Sequence, residues 1–446
     1  MVDPGEAGDA RWRTAVRGGV IGSSARLATL ALTFALTPVT ITHAGPATYG
    51  LLITLTSFAG LLTFADLGIG NGVIGRLAHA RAAGDSAAEQ AATASALVVL
   101  VVIGFVVAIV GVVLAVALPW HSLIHTPSTD DHAIRVATVV AAIAVGLGVP
   151  GALAQKIYLG RQRAGAASIW LNAAATLASI GVAAAAVSGH HLAVMVAMAL
   201  GVPAAVALIS LGWLASRGAM GNRVRPATAS STLAMVRAGR MYAVLQLVLV
   251  VNFEVDNLVV AHFMGPTKVA VFAASSRLAA IPLALATLFF TPLWAAFTDA
   301  LALGDHVWVA TAYRRATRTS LYVLGPTAVA LALGGPWAVR AWTRGTIHSP
   351  KLLFVALAGW LVVFALNQPQ AMLLNAMHDE RFQVTAALCN AAANLTLSIL
   401  ATIRFGVAGP ILGSIVAQVV CALIPTAFHL RRRLATAPGS LIEEGR

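Results

Sequence analysis

One landmark occurs twice in this chain, and the repeat restricts the fold to two copies of one unit. Gly45-Pro46 is followed 39 residues later by Gly84-Asp85, and Gly265-Pro266 is followed 39 residues later by Gly304-Asp305, a shift of 220 positions. A second set, Arg163, Asn172 and Ala173 to Ala175, returns as Arg381, Asn390 and Ala391 to Ala393 at a shift of 218. Both copies lie in sequence that is 59% hydrophobic and 10% charged, apolar from end to end, which excludes a soluble domain and places the chain among polytopic membrane proteins. Internal symmetry in such a chain is how many secondary transporters are built, with a substrate site between the halves.

A helix crosses hydrocarbon in about 20 apolar residues. Windows of that kind predict an all-α polytopic membrane protein with twelve transmembrane helices, at roughly 20–42, 47–72, 90–118, 134–158, 166–188, 191–215, 235–263, 268–298, 311–333, 351–376, 383–403 and 407–430. They group into six-helix bundles over 20–215 and 233–430, with a cytosolic N-terminal segment 1–19, a cytosolic linker 216–232 carrying Arg217, Arg223, Arg225 and Pro226, and a cytosolic tail 431–446. With the N-terminus inside, the inner segments hold 21 Lys and Arg and the outer segments six, as the positive-inside rule requires. An even number of spans per half makes the two bundles parallel repeats, related by an axis along the membrane normal.

Other readings of the same features are weaker. The net charge of +13 comes from arginines clustered at span ends rather than from one amphipathic face, so it sets topology and gives no reason to expect nucleic acid. Cys389 and Cys421 both lie in apolar stretches and form no disulfide framework or metal spacing. Thr42-His43-Ala44 loosely mimics a signal-peptidase site, but Arg26 interrupts the apolar run before it, so the segment reads as the first span. Gly70-Asn71-Gly72-Val73-Ile74-Gly75 fits G-x-G-x-x-G without a preceding strand, which points to close helix packing rather than a dinucleotide. Prolines inside spans, such as Pro38, Pro150 and Pro292, are expected kinks. His121, His125 and His132 with Asp130 and Asp131 cluster in an outer loop, without the helix-borne Glu of a zinc motif.

An ionisable residue near a helix centre costs about 2.5 to 3.5 kcal/mol on insertion scales, so the few within spans face a cavity or a partner. Arg26 either snorkels to the cytosolic edge, pairs with Asp66 on the next helix, or faces substrate. Glu254 and Arg277 are equidistant from the turn at Gly265-Pro266, the arrangement of an ion pair across a hairpin. Asp256 is turned about 200° from Glu254, so the two cannot serve the same partner and one carboxylate is left for coupling or for a cavity. In the tenth span Asn367, Gln368 and Gln370 set amides beside Pro369, as in an interrupted helix that binds sugars or an ion, although interhelical hydrogen bonding is the commoner role. The same packing role covers Asn390 and Asn394, four apart on one face.

Gly45-Pro46 with Tyr49-Gly50, Asp66-Leu67-Gly68-Ile69-Gly70-Asn71-Gly72, Arg76 and Gly84-Asp85 together resemble the opening helices of bacterial polysaccharide-biosynthesis flippases. These belong to the multidrug/oligosaccharidyl-lipid/polysaccharide (MOP) exporter superfamily. Asp256, Gly265, Arg277 and Gly304-Asp305 are similar to that family's seventh and eighth helices. The resemblance implies two bundles around a central cavity lined by the first and seventh helices. It also implies a lipid-linked anionic glycan as substrate, bound by Arg26 and Arg277, with polysaccharide assembly enzymes as partners and no cofactor beyond a coupling sodium ion or proton. A multidrug exporter of the same superfamily, coupled through Asp256 or Glu254, is the alternative. A polytopic glycosyltransferase or polymerase using Asp130-Asp131 lacks an acid-base constellation and substantial outer loops.

Overall fold

The computed structural model describes residues 4–62, 69–126, 131–218 and 254–435, and every regular element among them is helical. The chain divides into two units, Met1–Val250 and Val251–Arg446. The first contains α1 (Pro4–Ala44), α2 (Pro46–Leu62), α3 (Ile69–Ala82), α4 (Ser86–Ala117), the single turn α5 (Trp120–Leu123), α6 (Asp131–Gly151), α7 (Leu153–Gly160), α8 (Ala164–Val187), α9 (Leu192–Val196) and α10 (Val202–Ser216). The second contains α11 (254–264), α12 (Pro266–Ala302), α13 (His306–Trp342), α14 (Lys351–Ala376), α15 (Glu380–Phe405), α16 (Gly409–Ala417) and α17 (Ile424–Ala435).

Nine helical runs among the described residues are long and apolar enough to cross a membrane, and α2 is a shorter apolar helix. One run, Arg381–Leu434, holds two expected spans that fold back on each other at Gly406, so the described residues account for eleven of the twelve. The expected seventh span is described from residue 254 only, and most of the linker 216–232 and the tail 431–446 lies outside the described residues. The sixth span of each half contains a π-helical turn, Ala197–Gly201 and Gln418–Leu423.

The repeat is written into the turns. Gly45 and Gly265 both have φ of +80°, and each amide donates to the carbonyl four residues earlier, on Ile41 and Ala261. Only a residue without a Cβ takes that conformation at no steric cost, which is why glycine marks both positions. At Gly84 and Gly304, φ is +69° and +74°, and the following Asp85 and Asp305 cap α4 and α13 by accepting from the amides of Ala88 and Trp308 at 2.8 and 2.9 Å. Left-handed residues then recur at His125 and Arg344, Gln162 and His378, and Gly189 and Gly406. Each half therefore has five corresponding turns between six helical segments.

The turns also correct the second landmark. Gln162 and His378 are 216 apart, not 218, so Asn172 lies nine residues past its helix cap, Arg163, and Asn390 lies eleven past its cap, Asp379. The two asparagines share a span but not a position.

Packing rests on residues with little or no side chain. On α4, Leu100, Gly104, Val107, Gly111 and Ala115 form the buried face, whereas Val102, Phe105, Ile109 and Val113 are exposed; the larger apolar groups point outward, as they do toward lipid. A Cβ on Gly104 would run into the Gly146 carbonyl of α6, and one on Gly111 would lie 2.6 Å from the Ala142 methyl. In the second unit, Cβ atoms on Gly409 and Gly413 would collide with the α15 backbone at Thr402 and Ser398. Gly413→Val should therefore lower thermal stability in detergent by about 1 to 3 kcal/mol, while Gly212→Ala, which meets nothing within 4 Å, should be neutral or mildly stabilising. Equal unfolding midpoints for the two variants would contradict this account of the hairpin.

Candidate functional site

The glycine-paved hairpin of α15 and α16 brings together a polar cluster in the interior of the second unit. Asp256 on α11 is 8% exposed, and Glu254, on another side of the helix, is half-buried. The Asp256 carboxylate accepts from Ser398 Oγ at Oδ1 (3.4 Å) and from Ser414 Oγ at Oδ2 (3.3 Å). Both hydroxyls also point at one oxygen, Asn394 Oδ1, at 2.9 Å each, and Ser398 Oγ lies 3.1 Å from the Pro410 carbonyl oxygen. Asn394 and Ser398 share one face of α15 through their four-residue spacing, and Ser414 reaches them because Gly413 lets α16 approach.

With Asn394 Oδ1 turned inward, the hydrogen bonds do not balance. The two hydroxyls have one proton each for three side-chain oxygens, both of Asp256 and that of Asn394, while the Pro410 carbonyl already accepts within α16. A carboxylate in hydrocarbon surroundings requires compensation for its charge. A hard cation or a proton within the cluster supplies it, and the all-oxygen donor set fits either.

The remaining expected site residues are scattered. Arg26 is exposed on α1, and its suggested partner Asp66 lies outside the described residues. Arg277 on α12 and Glu254 on α11 are both half-buried, and neither side chain is without a partner. On α14, Asn367 and Gln368 are half-buried and Gln370 is buried with its Oε1 unpartnered among the described residues. The expected interruption is absent: α14 runs unbroken from Lys351 to Ala376, and packing holds the turn that loses its hydrogen bond, since Pro369 itself is buried. Asn390 is also buried with Oδ1 unpartnered among the described residues. Among the loop histidines, His121 and Arg135 both approach Asp131, at 3.5 and 3.3 Å, Asp130 lies outside the described residues, and no metal-binding group of three occurs among the residues described. Sequence reasoning treated Asn394 as packing and passed over Ser398 and Ser414. The signal was there in Asn394-x-x-x-Ser398 followed by Gly409-x-x-x-Gly413-Ser414, small residues that only a close hairpin makes meaningful.

In the first unit the corresponding first and fifth segments join through hydroxyls: Thr29 Oγ1 to Thr176 Oγ1 at 3.0 Å and Thr33 Oγ1 to Ser179 Oγ at 2.9 Å. The position 220 before Asp256 is Leu36. The carboxylate therefore has no counterpart at the equivalent position of the first repeat.

The sequence profile of the family described as polysaccharide biosynthesis protein matches residues 15–296. Among solved structures, a multidrug resistance MATE family transporter of the MOP superfamily in an inward-facing conformation is 15% identical with a TM-score of 0.74, covering 93% of this chain and 98% of that one. The lipid II flippase MurJ, in an inward closed conformation, is 12% identical with a TM-score of 0.75, covering 92% and 87%. A MOP superfamily transporter from Pyrococcus furiosus is 14% identical with a TM-score of 0.62, covering 95% and 96%. At these identities the likeness shows the fold, which is that of the MOP superfamily. No curated protein sequence matches.

At the far end of α15, a clasp ties the second unit together. Asp379 accepts from His429 Nε2 at 2.8 Å and Arg433 at 3.0 Å, and the His429 ring stacks on Phe382 with centroids 4.2 Å apart. Partial burial pushes the Asp379 carboxyl up, but the hydrogen bonds from Arg433 and His429 outweigh it and hold its pKa below the ordinary 3.8. A lowered folded-state pKa contributes stability that is complete above the unfolded value and is lost as pH falls through the folded one. The wild type should therefore exceed Asp379→Asn by up to about 1 kcal/mol at neutral pH, and the gap should close below about pH 4. Thermal melts across pH test this, and a gap unchanged at acid pH would refute it.

Proposed function

We propose, on the premise that this chain belongs to the polysaccharide biosynthesis protein family, that it is a flippase carrying a lipid-linked oligosaccharide or polysaccharide precursor across the bacterial cytoplasmic membrane. The family match over 15–296 carries the reading, and the likeness to a lipid II flippase over 92% of the chain supports it at the level of fold. Termini in the cytosol follow from the arginine asymmetry, and polysaccharide assembly enzymes would supply and consume the cargo. A phosphate-linked sugar head is anionic, so it requires cations on its path, and Arg26 and Arg277 are the ones this reading assigns, with Asn367, Gln368 and Gln370 as amides for sugar hydroxyls. The lipid tail stays in the bilayer while alternating access moves the head, without a hydrolytic step.

The Asp256 cluster is the element this reading assigns to coupling. Sodium or a proton held by Asp256, Asn394, Ser398 and Ser414 would tie α11 to the α15–α16 hairpin, and its release would loosen them. Glu254 and Asp66 are then structural charges. A cation-coupled multidrug exporter is the second reading, favoured by the likeness to a MATE transporter with a TM-score of 0.74; organic cations would be repelled by arginines and held by acidic and aromatic groups.

Two measurements separate these readings. In cells that depend on this protein for surface glycan, Arg277→Lys should keep part of the export and Arg277→Ala should lose it at equal membrane abundance; normal export by the alanine variant, or export of cationic drugs instead, removes the flippase assignment. In purified protein, sodium or a pH change kept above the acid range in which the Asp379 clasp titrates should shift the unfolding midpoint of the wild type but not of Asp256→Asn, and gradient-driven transport should lose its ion dependence in that variant. A wild-type midpoint indifferent to both ions would dismiss the coupling role and leave the cargo question untouched.

A further inference from the structure

Three of the six Lys and Arg that the positive-inside rule assigns to outer segments stand together at one end of the second unit. Arg340 lies in the last turn of α13, Arg344 follows its cap, and Lys351 opens α14; all three are exposed. No carboxylate occurs between Asp305 and Asp379, so neither helix offers a partner, and none of the three is ion-paired among the described residues. The corresponding turn of the first repeat is built differently: α4 has no basic residue in its last turn, α6 opens on Asp131, and Arg135 pairs with that carboxylate at 3.3 Å. Arginines complement a helix C-terminus, which accounts for two of the three cations, but a lysine at the first position of α14 stands where the helix dipole disfavours positive charge.

The turn that holds the cations is fixed. The amides of Gly345 and Arg344 donate to the carbonyls of Arg340 and Ala341 at 2.7 and 3.2 Å, the paired bonds of a Schellman ending, and the Ile347 amide donates to the buried Thr343 hydroxyl at 3.2 Å. Ser349 Oγ meets Ser275 Oγ of α12 at 2.7 Å. Arg344 occupies the left-handed position, with φ of +52°, where only glycine carries no steric cost. An apolar track leads up to these cations. Val329, Leu333, Trp337, Arg340 and Arg344 fall within about 80° of one another around α13, and Leu333 and Trp337 are 81% and 75% exposed. Leu352 and Val355 on α14 are exposed beside Lys351. Val329 lies eight residues before Trp337, about 12 Å deeper, which nearly spans one leaflet, half of the roughly 30 Å hydrocarbon core.

We propose that this end of the second unit holds one anionic phospholipid of the outer leaflet, its phosphate among Arg340, Arg344 and Lys351 and an acyl chain along Trp337, Leu333 and Val329. Charge at the helix end, tryptophan beneath it and aliphatic residues deeper repeat the order of such a lipid from head to tail. A second copy of the chain does not fit, because a two-fold contact through this face would set like cations against each other. A soluble acidic glycan would meet the cations alone and make no use of the tryptophan and aliphatic residues in line with them. The lipid is a bound component separate from the cargo and from the Asp256 cluster, and its binding does not depend on the transport assignment.

Native mass spectrometry of the full-length protein in detergent, with dioleoyl phosphatidylglycerol or dioleoyl phosphatidylcholine, tests the proposal. Arg340→Gln, Arg344→Gln and Lys351→Gln should each weaken one tightly held phosphatidylglycerol roughly fivefold, and the triple variant, weakened roughly a hundredfold, should lose it. Arg404→Gln, which removes an exposed cation from α15, should lose none. Phosphatidylcholine should not be held at this site, and inorganic phosphate or oligogalacturonate at matched ionic strength should not displace the lipid. A second measurement leaves the cations intact. In phosphatidylcholine vesicles with a minor fraction of phosphatidylglycerol brominated on its chains, the part of the fluorescence that Trp337→Phe removes should be quenched more strongly than with the same fraction of brominated phosphatidylcholine. An undiminished lipid count in the triple variant, equal retention of phosphatidylcholine, equal quenching by the two brominated lipids, or displacement by inorganic phosphate or oligogalacturonate would each overturn it.

Discussion

Close approach of helices through residues that have almost no side chain is the interaction on which both units depend. Hydrocarbon outside the protein is as apolar as a leucine core inside, so burial of large side chains gives little preference for helix against helix over helix against lipid. What remains is contact density and the satisfaction of polar groups. The chain responds by exposing Val102, Phe105 and Ile109 while burying Gly104 and Gly111 against Gly146 and Ala142. Gly409 and Gly413 act likewise in the second unit.

That constraint also explains where polar chemistry resides. A serine hydroxyl is short, and it meets a carboxylate on another helix only when the backbones come close. Gly413 brings Ser414 to Asn394 Oδ1 at 2.9 Å, and the same approach leaves the Pro410 carbonyl oxygen 3.1 Å from Ser398 Oγ. The structural glycines thus produce a cluster richer in acceptors than in protons. The first unit uses the same short side chains as neutral pairs, Thr29 with Thr176 and Thr33 with Ser179. Two copies of one fold therefore differ in whether the joint between their first and fifth segments contains charge.

The cavity of the first unit shows the complementary outcome. Where α6–α7, α8 and α10 do not close on one another, they leave a cavity of about 420 Å³ whose walls mix alanines and glycines with Tyr158, Trp170, Leu171 and Leu200. Small residues that pack against a neighbour make a joint; small residues without one leave space.

By itself the sequence determined the all-helical class, the span lengths and the repeat, because each depends on local pattern. Apolar windows placed eleven spans on described helices, although the ninth, 311–333, stops nine residues short of its helix end at Trp342, and Gly45, Gly84, Gly265 and Gly304 marked turns whose backbone only glycine adopts without strain. Asp256 stood out because a charge among apolar residues is visible in one dimension. Its partners did not, since Ser398 and Ser414 are ordinary residues lying 142 and 158 positions away, separations that only the hairpin closes. The 218-residue register was misread for a related reason: composition in an alanine-rich helix has no phase, and the left-handed residues Gln162 and His378 fix it at 216. Pro369 was read as a break because proline removes a backbone donor, yet the packing around α14 keeps the helix continuous. Tertiary structure alone decided which polar groups meet and which, like the Tyr158 and Ser210 hydroxyls, are buried without a partner among the described residues, because hydrogen bonding depends on distances that apolar periodicity does not encode.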